Sequence, residues 1–354
     1  MTDKRLEKIA KMKIMTTLSF GIQLKIRMLI LAILFLIYGF SYAQTAQEYY
    51  LEGIEYGRQG KFKKAEQKCK KALDISQFYN IARKCLKISR DVLEKRIEEE
   101  AAVHLFKGLS YDQRRMYDEA ILEYKKTLAV NPSYVEAYAS LGLDYILEGK
   151  YDEAVYAFNK AIAISPDYVE VHNYLGLAYY GKRMWDEAIS EYKKAIAINP
   201  NYAAAHSGLG AAYDRKGMYD AAISEFKKSI AINPHNAGVH NNLGIAYGLK
   251  GNYDRAIVEL EKAVALEPDF SEAHNNLGVA YILKGRYKEA ILELKKALAL
   301  NPAYAEAHNG LAMVYYRLRQ YKLAIEHCDK ARELGYPVSP KLLKALRPYR
   351  KKGF

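Results

Sequence analysis

Six columns of residues recur along this chain at intervals of 34, and no other feature constrains its fold as strongly. Prolines stand at Pro132, Pro166, Pro200, Pro234, Pro268 and Pro302. The pair Leu-Gly stands at Leu141-Gly142, Leu175-Gly176, Leu209-Gly210, Leu243-Gly244 and Leu277-Gly278. A tyrosine follows three residues on, at Tyr145, Tyr179, Tyr213, Tyr247 and Tyr281, and the column continues at Tyr315. Alanine holds Ala120, Ala154, Ala188, Ala222, Ala256, Ala290 and Ala324, and an aromatic residue precedes each, from Tyr117 through Trp185 to Tyr321. Repetition at this period means a stack of like units, each able to bury its apolar face only against its neighbours.

One period reads as two helices. Tyr138, Leu141, Gly142 and Tyr145 fall at i, i+3, i+4 and i+7, one face of a first helix. Gly149 is a stop, because glycine takes the left-handed conformation at little cost. Asp152 opens a second helix, where an acid accepts orphan amides and favours the dipole. Ala154, Phe158 and Ala161 form its stripe, and Pro166 turns the chain into the next unit. Gly142 and Ala154 predict a close crossing of the two helices, and enlarging Gly142 is expected to cost about 1–3 kcal/mol.

This pattern resembles the tetratricopeptide repeat family. The family's motif places a large residue at position 4, Leu-Gly at 7 and 8, Tyr at 11, Gly at 15, Tyr at 17, Ala at 20, an aromatic at 24, Ala at 27 and Pro at 32. Residues 135–168 match at Tyr138, Leu141, Gly142, Tyr145, Gly149, Tyr151, Ala154, Phe158, Ala161 and Pro166. The resemblance implies an all-α fold, a right-handed superhelical solenoid of helix-turn-helix units. Seven units run in tandem over 101–338, beginning at 101, 135, 169, 203, 237, 271 and 305. A further first unit spans 44–79, with Gly53, Tyr56, Gly60, Ala65, Cys69 and Ala72 in register. Residues 80–100 are either a degenerate repeat or a helical insertion. Residues 339–354 read as a capping helix with a basic tail, Leu342, Leu343 and Leu346 covering the last repeat. Arg115, Arg183 and Arg319 depart from the motif by replacing the stop glycine.

Residues 1–43 have a different character. Lys25 and Arg27 precede an apolar run from Met28 to Phe40, followed by Ser41-Tyr42-Ala43 with small residues where a signal peptidase inspects the chain. This is a secretory signal peptide, cut after Ala43, or alternatively an uncleaved signal anchor. The expected location is therefore periplasmic or secreted, or anchored in an inner membrane. Export permits disulfides. Cys69 and Cys85 pair if their helices are neighbours, which is left open, and Cys328 packs as a small buried residue.

The charge of +13 suggests nucleic acid at first sight, but these 43 residues hold seven basic and two acidic side chains. In the remainder the two signs interleave, so no basic stripe is expected and no nucleic-acid partner.

A histidine column, His104, His172, His206, His240, His274 and His308, occupies position 4. Metal ligation needs imidazole nitrogens about 3–3.5 Å apart, whereas successive helices lie about 8–10 Å apart, so the column cannot chelate one ion. Nor is a nucleophile or carboxylate expected at a fixed offset from it, and the rings are expected to fill the seam between repeats. A sharper hypothesis is that they charge together near pH 6 and loosen the seams; a melt with no stability loss between pH 7.5 and 5.5 would overturn it.

No phosphate loop, nucleophile elbow, His-Glu-x-x-His or Cys-x-x-Cys occurs, so no enzyme, cofactor or metal is expected. The resemblance instead implies partner contacts on the inner face of the first helices. Position 9 there supplies Leu143, Leu177, Ile245, Val279 and Met313, and position 12 adds Tyr180. Asn173, Asn241, Asn275 and Asn309 stand at position 5, with Asn242 and Asn276 at position 6. An apolar floor flanked by amides suits a peptide or helix of another protein, expected to be a cell-envelope protein. The alternative is a membrane-anchored assembly factor of a secretion or pilus-type machine. Membrane contact is expected only through an uncleaved anchor.

Overall fold

The computed structural model describes residues 45–76 and 80–350, which form eighteen α-helices and no strand. The signal segment lies outside the described residues. The chain divides into two compact units, 1–148 and 149–354.

The first unit holds α1 (45–58), α2 (Phe62–Ile75), α3 (Asn80–Leu93), α4 (Glu99–Asp112), α5 (Tyr117–Val130) and α6 (Val135–Leu147). Helices α1 and α2 form one pair, and α4 and α5 another. Helix α3 stands alone after α2. Residue 80 lies 34 beyond 46, which puts Cys85 at position 6 of a repeat, facing Cys69 at position 24. The two form a disulfide with Cα atoms 6.0 Å apart. Elsewhere position 6 faces the same neighbour: Gly208 lies against Tyr192, and Gly310 against Leu294. Helix α3 thus packs as the first helix of a repeat whose second helix is missing.

The second unit holds α7 (Tyr151–Ile164), α8 (Val169–Gly181), α9 (Trp185–Ile198), α10 (Ala203–Arg215), α11 (Tyr219–Ile232) and α12 (Ala237–Leu249). It continues with α13 (Tyr253–Leu266), α14 (Ser271–Leu283), α15 (Tyr287–Leu300), α16 (Ala305–Arg317), α17 (Tyr321–Glu333) and α18 (Pro340–Arg350). Each helix from α8 to α17 packs on the next. The fold is all-α, a solenoid of helix-turn-helix units.

Two kinds of glycine make these pairs. Gly176, Gly210, Gly244 and Gly278 let the second helix approach, because an added Cβ would lie 2.6–2.8 Å from Tyr192, Phe226, Leu260 or Leu294. Those four large side chains are at most 2% exposed. Gly217 serves conformation instead: φ is +73° and nothing lies within 4 Å of where its Cβ would be. There the Met218 amide donates to the Tyr213 carbonyl at 2.9 Å, closing the end of α10 in a Schellman arrangement. Arg115, Arg183 and Arg319 hold the same left-handed turn, at φ 57–60°.

The second helices begin one place before the expected acids. Tyr151 is the first residue of α7, Lys150 precedes it, and neither makes a side-chain cap. Asp152 sits in the first turn, where the dipole favours it, and its carboxylate receives the Lys182 ammonium of the next repeat at 2.5 Å. The pattern returns as Lys216–Asp186, Lys250–Asp220 and Lys284–Asp254. Helix α18 closes the stack: Leu346 and Leu342 are buried on it, and Tyr349 stacks on Tyr321 at 3.5 Å between centroids.

Candidate interaction face and histidine staples

Position 9 falls on the same face of every first helix. In the second unit it is open: Leu177, Val279 and Met313 are 40, 39 and 43% exposed. Ile245 is half-buried between them, and Tyr180 is half-buried with its hydroxyl accepting from Arg215 Nε at 2.9 Å. In the first unit Leu143 is half-buried, while Leu109, at the same position of α4, is only 3% exposed.

The amides are not distributed evenly about this floor. Asn173, Asn241 and Asn275 are 5–8% exposed and lie beneath it. Asn242, Asn276 and Asn309 are half-buried and line it. Asn276 Nδ2 donates to Asn241 Oδ1 of the preceding repeat at 2.9 Å. The equivalent donor for Asn275 Oδ1 is missing because position 6 of the next repeat is Gly310, and this buried oxygen has no partner. Asn309 Nδ2 points to Met313 Sδ at 3.8 Å. At position 5, Asn241 thus joins two first helices, and the surface polar groups come mainly from position 6.

The histidines are not fillers. Nδ1 of His104, His172, His206, His240 and His274 lies 2.6–2.7 Å from a carboxylate oxygen of Glu123, Glu191, Glu225, Glu259 and Glu293. Each glutamate stands 19 residues beyond its histidine, at position 23. Its other oxygen takes a lysine three residues further on, as in Lys194–Glu191 at 2.7 Å. In four repeats Nε2 reaches back to the proline carbonyl of the preceding repeat, as in His172 to Pro166 at 2.7 Å. A carbonyl and an ionised carboxylate only accept, so both bonds form when the ring carries both protons. The ring thus staples first helix, second helix and preceding repeat. This corrects the expectation of rings without a carboxylate at a fixed offset. The signal was present as a second column, glutamate at a constant offset of 19.

A buried charged cluster in the first unit was also missed. Lys84 of α3 is enclosed by Ser140, Tyr124, Asp112 and Asp144. Tyr124 donates to Asp112 Oδ2 at 2.5 Å. Burial holds the Lys84 ammonium below its ordinary range. Burial, then the neighbouring Asp112 carboxylate, pushes Asp144 up to about 9, so it carries a proton at neutral pH. Lys87 pairs with the buried Glu136, and Tyr134 donates to Asp91 at 2.9 Å, so α3 is tied to α6 and to the turn before it.

Among the described residues no cluster of three or more His, Cys, Asp or Glu side chains is placed to hold a metal ion. Nor is any described helix long and apolar enough to cross a membrane.

Comparison with known proteins bears on this arrangement. Family models described as TPR repeat match residues 142–182, 184–217, 215–251, 249–285 and 280–318, and one described as tetratricopeptide repeat matches 305–335. Among curated proteins none matches. Of solved structures, MamA is 32% identical, with 47% of this chain and 96% of MamA covered and a TM-score of 0.41. Pseudomonas aeruginosa pilF is 19% identical over 62% of this chain and 97% of its own, with a TM-score of 0.54. PilW, a widely conserved type IV pilus biogenesis factor, is 20% identical over 58% and 96%, also at 0.54. With repeat after repeat matched and the paired-helix fold shared, the chain belongs to the tetratricopeptide repeat family.

Proposed function

We propose that this protein is a non-catalytic interaction scaffold that receives a peptide or helix of another protein on the inner face of its second unit. The observation that carries this reading is the exposure of Leu177, Val279 and Met313 at one repeating position, beside the half-buried amides of Asn242, Asn276 and Asn309. Burying those apolar side chains supplies affinity, and the amides bond the partner's polar groups. The test is a photo-crosslinker at Leu177 or Ile245 in living cells, followed by mass spectrometry. Capture of one or a few envelope proteins supports the reading. Capture of nothing, or of this protein alone, overturns it.

We also propose that the protein works outside the cytoplasm. The apolar run Met28–Phe40 with Ser41-Tyr42-Ala43 supports export, and the Cys69–Cys85 disulfide is a bond that persists in oxidising compartments. A second reading, an anchored assembly factor of a secretion or pilus-type machine, rests on the same apolar run remaining uncut. The mass of the purified mature chain separates the two: loss of residues 1–43 excludes the anchor.

A further inference from the structure

Five repeats carry a His–Glu staple, and the last carries something else. In 305–338 position 23 is His327, so His308 Nδ1 faces His327 Nδ1 at 2.9 Å. The ring centroids are 5.2 Å apart, which is the separation of two rings pointing their nitrogens at each other along one line. His308 Nε2 lies 3.3 Å from the Pro302 carbonyl, an acceptor only, so its proton is there and its Nδ1 is bare. His327 Nδ1–H therefore donates to His308 Nδ1. Lys330, the lysine that would serve a glutamate at position 23, turns instead to Glu333 at 3.2 Å.

We propose that this pair makes the C-terminal repeat an acid-sensitive element, opening α16–α18 at a pH where the other repeats stay closed. The first added proton goes to the outer Nε2 of His327 and leaves the bond intact. The pair has no place for a further proton without breaking the bond, because two facing Nδ1 atoms 2.9 Å apart cannot both carry hydrogens. A His–Glu staple meets no such conflict, because its second ring proton points at a carboxylate. The surroundings give little relief. From α17, Glu326 favours the charge but is outweighed by burial and by His308; from α15, Lys295 repels it; from α16, Tyr315 stacks on His327 at 5.6 Å and contributes no counter-charge. Burial, then His308, holds His327 below the ordinary histidine value of 6.5. A base whose folded value is lowered contributes stability above the unfolded value and loses it as pH falls below. What opens is the seam containing Leu311, Cys328 and Leu346, which are now fully buried.

The inference does not depend on what occupies the inner face. Its test is hydrogen exchange of the whole chain at pH 7.5 and 5.0, corrected for the intrinsic rate. Protection in 305–350 is expected to fall at the lower pH, while 203–304 holds. His327→Glu restores the staple of the other repeats and is expected to abolish the fall. His327→Gln keeps a neutral side chain there and is expected to do the same, which guards against a failure of the first variant to fold. A fall that persists in both variants, a fall shared equally by 203–304, or no fall in the parent protein would each overturn the proposal.

Discussion

Gly208 lies against the ring of Tyr192, one repeat back: a methyl group there would stand 2.5 Å from two ring carbons. The ring has little room to retreat, because the same ring carbons also lie against Gly176 and the side chain is 2% exposed. Gly208→Ala is expected to cost about 1–3 kcal/mol through overpacking. Gly310→Ala is the control, since its methyl would meet the end of a flexible leucine, Leu294, at 3.0 Å. Urea unfolding is expected to rank Gly208→Ala as the more damaging. Equal midpoints would mean the tyrosine seam is looser than the structure shows.

The disulfide carries a second expectation. Cys69 and Cys85 are 16 residues apart, and closing a loop of that length removes about 3 kcal/mol of unfolded-chain entropy. The bond also holds α3, and with it Lys84, against Asp112 and Asp144, whose burial is costly without close partners. Cys69→Ser with Cys85→Ser is expected to unfold residues 45–148 at a lower denaturant concentration, by about 2–4 kcal/mol. Residues 149–350 are expected to be unaffected. Hydrogen exchange, which reads the two units separately, checks both halves.

Asp144 gives a pH dependence of definite sign. Its folded value is raised by burial and by Asp112 to about 9, far above the ordinary 3.8. Between those values the folded chain holds a proton that the unfolded chain has released, so this group's contribution is full below the unfolded value and is lost as pH rises towards 9. Lys84, held below its ordinary 10.5 by burial, works the other way in the window beneath that value. The first unit is therefore expected to lose stability from pH 5.5 to 8.5. Asp144→Asn, which cannot release the proton, is expected to flatten that loss. A loss of equal size in the variant would place the titrating group elsewhere.

Much of this architecture was open to reading because its causes repeat. A glycine that admits a neighbouring helix, a left-handed stop and a proline each leave one residue type at one interval. The staples were harder to read. Glu191 belongs to His172 only once two helices pair, and alone it looks like a solvated acid beside Lys194. The Asp144 cluster left a fainter mark: position 10 is alanine at Ala178, Ala212, Ala246 and Ala280, so an acid in that column signals an unusual neighbour. That neighbour is Lys84 of α3, a first helix without its second, and the period that places this helix in register does not say that it packs on α6. On the inner face, position 5 and position 6 asparagines look alike in sequence. Only packing separates the buried Asn275 from the half-buried Asn276.

The inner face is testable without knowing its partner, because neighbouring positions on one helix have opposite burial. Leu277 is 2% exposed and packs in the core with Leu243 and Leu260, whereas Val279, two residues on, is 39% exposed. Leu175 and Leu177 repeat the contrast, at 2 and 40%. Leu277→Asp buries an unpaired charge and is expected to cost several kcal/mol, about 3 or more, unfolding that repeat. Val279→Asp and Leu177→Asp expose a charge to water and are expected to shift stability by less than about 0.5 kcal/mol. If the exposed stripe is the working surface, the double variant Leu177→Asp, Val279→Asp keeps its melting temperature and loses its crosslinked partners in cells. Loss of folding in that variant would instead make the stripe part of the packing, and retained capture would move the working surface to another face of the repeats.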